Sequence, residues 1–277
     1  MAIAIRIICL GLLVVGSFRN LAAQDSLQKK EWNVDGTARQ ALVWIPQDSP
    51  VALKEGESPK KHPLVFCFHG HGGSMRNAAN TFAIHREWPS AVVVYMQGLN
   101  TPGRLTDPEG KKPGWQHEMG ELNDRDLKFF DAVLDTLKKE QSIDEHRIYS
   151  TGHSNGGGFT YLLWATRGDL FAAMAPSAAV PNPKYRERVR PKPVMHIAGE
   201  NDALVKFERQ AQAMASLRKL NDTSEEGMAW AEQCVVYESP NGMPVVTMIT
   251  EAGHKFPEKA PPLIVRFFKE HAKPDTH

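Results

Sequence analysis

Cysteine is scarce in this chain, which has only Cys9, Cys67 and Cys234. No Cys/His cluster carries the spacing of zinc ligands, and nothing else in the chain calls for a metal or other cofactor. Cys67 and Cys234 both sit in strand-like apolar runs, Val65-Phe66-Cys67-Phe68 and Cys234-Val235-Val236-Tyr237. Buried free thiols are therefore expected there rather than a disulfide. Excess charge is missing too. The formal net charge is +1, which points to neither nucleic acid nor an anionic membrane as a partner. There is no internal repeat and no low-complexity block. A membrane-spanning run of about 20 apolar residues is also absent. The apolar run from Ile7 to Val15 has the length of a signal-peptide core, and Leu21-Ala22-Ala23 follows it with small residues. The expectation is a signal peptide over residues 1–23 and a secreted or periplasmic protein with no stable membrane insertion. Residues 24–277 then form a single domain.

The rest has an ordinary globular composition. Its 277 residues, 42% hydrophobic and 23% charged, suffice for one sizeable core. Trp32-Asn33-Val34, an Asp35-Gly36 turn and Ala41 to Ile45 read as a hairpin. Pro63 to Phe68 and Ala91 to Tyr95 are continuous apolar strands, as in a sheet covered on both faces. Ser74 caps a helix over Met75 to Ile84. Leu127, Phe130, Val133, Leu134 and Leu137 fall on one helical face. Further strands are expected at Phe171–Ala175 and Pro193–Ala198, a helix over Glu208–Leu220, and a hairpin around Pro240-Asn241-Gly242. A closing helix runs from Pro261 to Ala272. Strands alternating with helices over some two hundred residues predict one doubly wound, mostly parallel α/β sheet with helices on both faces.

The most informative stretch is Arg147 to Gly158. A β-branched and aromatic segment runs into Gly152-His153-Ser154-Asn155-Gly156, and a helical pattern follows. This is the Gly-x-Ser-x-Gly form of a nucleophile elbow, a turn so tight that both flanking positions must be glycine. A serine hydroxyl needs a base to accept its proton and a carboxylate to orient that base. Downstream of Ser154, His254 lies in a loop just after a strand, where a base can reach a strand-end serine. His196 lies inside a strand pattern and His271 in the closing helix. The acid is expected in Gly199-Glu200-Asn201-Asp202, with Asp202 preferred and Glu200 as the alternative. Two N–H donors are needed for the oxyanion. One is the backbone of Asn155, and the other comes from the glycine-rich loop His69-Gly70-His71-Gly72-Gly73, through His71 or Gly72, with His71 favoured. His69 reads as a packed histidine bracing that loop.

These motifs, Phe68 to Ser74, Asn123-Asp124, Ile143 to Tyr149, Thr151 to Gly157, Gly199 to Asp202 and Gly253 to Pro257, resemble those of the α/β-hydrolase superfamily. Within it, the chain is similar to secreted polyhydroxybutyrate depolymerases and feruloyl esterases. The resemblance implies the α/β-hydrolase fold and hydrolysis of a carboxylic ester, polymeric or polysaccharide-linked esters included. It implies Ser154 as nucleophile, His254 as base, Asp202 as acid, and His71 and Asn155 as oxyanion donors. Relatives often carry cysteine or a small residue where His71 stands, and a different pair where Lys255 and Phe256 stand, so substrate specificity does not transfer. The segment between Phe171 and Pro193 is too short for a large lid domain, which implies an open site. Trp115 and Tyr95 are candidate substrate platforms. Two other readings stand beside an esterase: a peptidase of the prolyl-oligopeptidase type, and a non-catalytic binding protein on the same fold.

Overall fold

The computed structural model describes residues 27–46 and 60–274. The signal-peptide expectation lies outside these residues. The chain opens with β1 (Gln28–Val34) and β2 (Thr37–Trp44), an antiparallel hairpin closed at Val34–Thr37. Asp35 and Gly36 both have positive φ, 50° and 78°, as an Asp-Gly hairpin turn requires. There follow β3 (His62–Phe68), α1 (Met75–Phe82), α2 (Ile84–Glu87) and β4 (Val92–Met96). Ser74 caps α1 by accepting from Asn77 N–H. An excursion then contains the two-residue strands β5 (Leu99–Asn100) and β6 (Pro113–Gly114). After it come α3 (Arg125–Glu140), β7 (Ile143–His153), α4 (Asn155–Arg167), β8 (Ala173–Ser177) and β9 (Val194–Gly199). The chain closes with α5 (Phe207–Leu220), β10 (Met228–Ala231), β11 (Cys234–Tyr237), β12 (Val245–Thr250) and α6 (Ala260–Lys269).

Ten strands form one sheet in the order β1-β2-β4-β3-β7-β8-β9-β12-β11-β10. The six central strands, β4 to β12 in that order, are parallel, and an antiparallel pair flanks them on each side. Every residue of β3 and of β4 is buried, which explains their unbroken apolar runs. Alternation divides the core in two. Leu64, Phe66 and Phe68 face α3 and α4, while Val65 and Cys67 face α1 and α6.

Cys67 and Cys234 are free and buried. They lie on β3 and β11, five strand positions apart, about 24 Å at the usual strand spacing, and a disulfide needs Cα atoms within about 7 Å. β10 had no sequence signal, since it is a short edge strand with Met228 and Ala229 exposed. Asn221 begins the sequence Asn221-Asp222-Thr223, an acceptor pattern for glycosylation. Its side chain is 1% exposed and donates to the carbonyls of Lys192 and Met243, so it is a buried staple and not a glycan site.

Candidate active site

Ser154 joins the end of β7 to the start of α4 with φ 56° and ψ −121°. This backbone is strained for a non-glycine residue, at a cost of order 1–3 kcal/mol. Hydrogen bonds hold it on both sides, from Ser154 N–H to Ser177 O and from Gly158 N–H to Ser154 O, each 2.9 Å. The flanking glycines are sterically required. A Cβ on Gly152 would lie 2.3 Å from Gly156 O, and one on Gly156 would lie 2.1 Å from Phe68 O on β3.

Three loops meet here at the carboxyl ends of parallel strands, where open α/β sheets bind ligands. His254, after β12, places Nε2 2.7 Å from Ser154 Oγ and Nδ1 2.8 Å from Asp202 Oδ2. Asp202, after β9, is buried, and its Oδ1 accepts from the N–H groups of Leu204 and Val205. Gln210 on α5 donates to its Oδ2 at 3.2 Å. Glu200 is exposed and stands outside this chain of hydrogen bonds. With Asp202 accepting from Nδ1–H, Nε2 is left bare to accept the Ser154 proton. The ring of His153 lies 5.1 Å from that of His254. Burial, and next the neighbouring His254, hold the His153 pKa down at about 4, so His153 adds no charge beside the His254 ring at neutral pH.

The glycine-rich loop after β3 is braced as expected. His69 is buried, its Nδ1 lies 2.7 Å from Gly70 O, and its Nε2 accepts from Gly98 N–H. Burial lowers its pKa to about 4, so it is neutral. Gly72 commits its N–H to Pro113 O, which leaves His71 as the loop candidate for an oxyanion donor. Asn155 occupies the first position of α4, where an N–H has no partner within the helix. The His71 side chain has a role of its own, with Nε2 3.0 Å from Asp107 Oδ2. Asp107 also accepts from the N–H groups of Lys111 and Lys112, and its carbonyl accepts from those of Gly103 and Gly110. One carboxylate thus organises the excursion and ties it to His71.

A cavity of about 330 Å³ opens over Ser154, walled by the excursion on one side and by residues 178–183 on the other. Among the lining residues, His117, Asp107's neighbour Thr106, and Arg209 of α5 carried no sequence signal. His117 Nε2 is 3.3 Å from Asn155 Nδ2. It stands beside a left-handed turn in which Leu122, Asn123 and Asp124 all have φ between 52° and 56°. Glu118 bridges Arg104 and Lys184, linking the two walls. Phe256 does not line the cavity, and packs against Phe82 and the edge of His153 instead.

Two expectations are corrected. Trp115 is fully buried, with its indole stacked on Phe159 and its Nε1–H donated to His69 O. Only its backbone serves the site, by pairing with the Asn155 side chain. Tyr95 is also fully buried, on the opposite face of the sheet, with its hydroxyl bonded to His85. Neither is a substrate platform. Aromatic residues at strand ends carry no signal of which face they take.

The fold is the α/β-hydrolase fold. A ferulic acid esterase of known structure superposes with a TM-score of 0.62 at 14% identity, covering 88% of this chain and 98% of that one. Residues 112–186 match the prolyl oligopeptidase family. In sequence the chain resembles the feruloyl esterases. Feruloyl esterase C of Emericella nidulans is 30% identical over 131 residues, 44% of this chain and 43% of that protein. A bifunctional acetylxylan esterase/xylanase of Neocallimastix patriciarum is 34% identical over 154 residues, 53% of this chain and 20% of that protein. The chain thus spans less than half the length of these relatives. Among the described residues, no helix is long and apolar enough to cross a membrane.

Proposed function

We propose that this chain is a serine esterase that cleaves carboxylic esters through an acyl-enzyme. The observation that carries the reading is the continuous hydrogen-bonded chain Ser154–His254–Asp202, at 2.7 and 2.8 Å. Ser154 Oγ attacks the ester carbonyl while its proton passes to His254 Nε2. Asp202, fixed by two backbone N–H groups and Gln210, keeps the imidazole in the right tautomer and balances the imidazolium. The oxyanion accepts from the N–H groups of His71 and Asn155. Collapse expels the alcohol, which takes the proton from His254. Water then attacks the acyl carbon with His254 again as base, and Ser154 is released. Ser154→Ala is expected to abolish hydrolysis of p-nitrophenyl acetate, a loss on the order of 10⁶ in kcat for a residue of this kind. Retained turnover overturns the reading.

The named relatives favour aromatic or acetyl esters on polysaccharide, and the motif resemblance adds hydroxybutyrate polyesters. A panel of feruloyl, acetyl-xylan and hydroxybutyrate-oligomer esters separates them. The apolar run Ile7–Val15 before Leu21-Ala22-Ala23 supports export from the cytoplasm. The match of residues 112–186 to the prolyl oligopeptidase family favours a second reading, a peptidase. Turnover of an aminoacyl-proline amide in preference to every ester of the panel would establish it instead.

A further inference from the structure

The permanent charges that line the cavity are both positive, the guanidinium groups of Arg104 and Arg209, and among the described residues no aspartate or glutamate lines it. Arg104 is already engaged by Glu118. Arg209 is exposed on the first turn of α5, and among the described residues its side chain has no ion-pair or hydrogen-bond partner. The next residue, Gln210, is buried and donates to Asp202 Oδ2 and to Val205 O. The helix turn that carries Arg209 is therefore pinned to the same carboxylate that holds His254. The backbone that carries Arg209 is thus held relative to Ser154, while its exposed side chain lines the cavity and is free to meet a ligand.

Leu204, immediately before Val205, is 45% exposed, and Leu105 in the excursion is 55% exposed. Both line the cavity. Large side chains left this open beside a site provide apolar surface for a ligand to cover. An unpaired guanidinium binds a carboxylate with charge-assisted hydrogen bonds, and with more geometric selectivity than a lysine would.

We infer that the site selects esters in which an apolar chain leads from the scissile carbonyl to a free carboxylate, with Arg209 receiving that carboxylate and Leu105 and Leu204 flanking the chain. The inference rests on the esterase reading and deepens it. Arg209 is a specificity residue and takes no part in the bond-breaking steps.

The test uses two esters matched in length and leaving group, 4-nitrophenyl hydrogen adipate and 4-nitrophenyl methyl adipate, which differ in one negative charge. The wild-type protein is expected to favour the charged ester in kcat/KM, through KM. Arg209→Gln is expected to lower the charged-to-neutral ratio about tenfold, the worth of one charge-assisted hydrogen bond. Arg209→Lys is expected to fall between, and added sodium chloride to erode the wild-type preference. A ratio near one in the wild type, or a ratio that Arg209→Gln leaves unchanged, overturns the inference while the esterase reading stands. Hydrolysis of neither ester by the wild type overturns the esterase reading and the inference together. Because the readout is a ratio within each protein, a partly unfolded variant does not imitate the expected result.

Discussion

At the scale of single residues, the site depends on positions where only one side chain fits. Gly156 is the sharpest case. A methyl group there would stand 2.1 Å from Phe68 O and 2.6 Å from His69 O, both backbone atoms of the braced strand end. Neither can yield without moving β3, so Gly156→Ala is expected to cost about 3 kcal/mol or more. That is a fall in Tm of roughly 6–12 °C by calorimetry for a domain of this size. Asp107 acts differently, by holding His71 at 3.0 Å. Asp107→Asn keeps the left-handed backbone, which asparagine tolerates. It loses the charge and one acceptor, so the His71 loop is expected to loosen and kcat for p-nitrophenyl acetate to fall several-fold, with KM little changed. An equal rise in KM would point to substrate binding as the Asp107 role instead. Ser154, Asp202 and His254 were legible because each sits in a short motif whose local shape is set by its neighbours in sequence. Asp107 and His117 were not, because the groups they meet, His71 and Asn155, lie 36 and 38 residues away. Nothing local marks such a pair.

At the scale of elements, the excursion between β4 and α3 is the part that strand and helix patterns left undescribed, and a buried polar knot holds it. Gln116 Oε1 accepts from the N–H groups of Asp126 and Leu127 at the start of α3, capping that helix from outside. Asp126 returns the bond by accepting from Gln116 N–H, and its other oxygen accepts from Arg39 Nη2 on β2 at 2.7 Å. Both members of this ion pair are essentially fully buried. Removing one side of such a pair strands the other in an apolar interior, at about 3–5 kcal/mol. Asp126→Leu is therefore expected to lower Tm by roughly 6–20 °C. The comparison is the bidentate Arg167–Asp131 pair, whose side chains are about one-third exposed. Asp131→Ala is expected to cost 1 kcal/mol or less, because water screens it. Equal shifts in the two variants would sink this ranking. The long parallel strands were readable because burial on both faces forces an unbroken apolar run. β5, β6 and β10 were not, since two to four residues with mixed exposure carry no period.

At the scale of the molecule, the sheet doubles as the floor of the site, and that floor holds neutral histidines. His69 follows β3, His153 ends β7 and His196 lies within β9, where its Nδ1 meets the Tyr161 hydroxyl at 2.7 Å. Burial is the first cause in all three of a pKa held down at about 4, against an ordinary value of 6.5. In the unfolded chain these rings bind protons as the pH falls through about 6.5, whereas in the folded protein they do not until about 4. Between those values the unfolded state holds more protons, so stability rises with pH. The stabilisation is therefore complete above about pH 6.5 and is lost progressively as the pH drops toward 4. Each ring contributes up to about 1.4 kcal/mol per pH unit within that window. Three rings beneath one site make the effect steep and local. Urea unfolding at pH 7.5, 6.0 and 5.0 is expected to show midpoints falling at each step, with the loss from 6.0 to 5.0 larger than that from 7.5 to 6.0. His153→Asn is expected to flatten the dependence, since it removes one of the three groups while keeping a polar partner for Ser177. Midpoints that stay level across that range would mean that these rings take up protons in the folded protein. A charged His153 5.1 Å from the His254 ring would then oppose the imidazolium that the proposed reaction has to form.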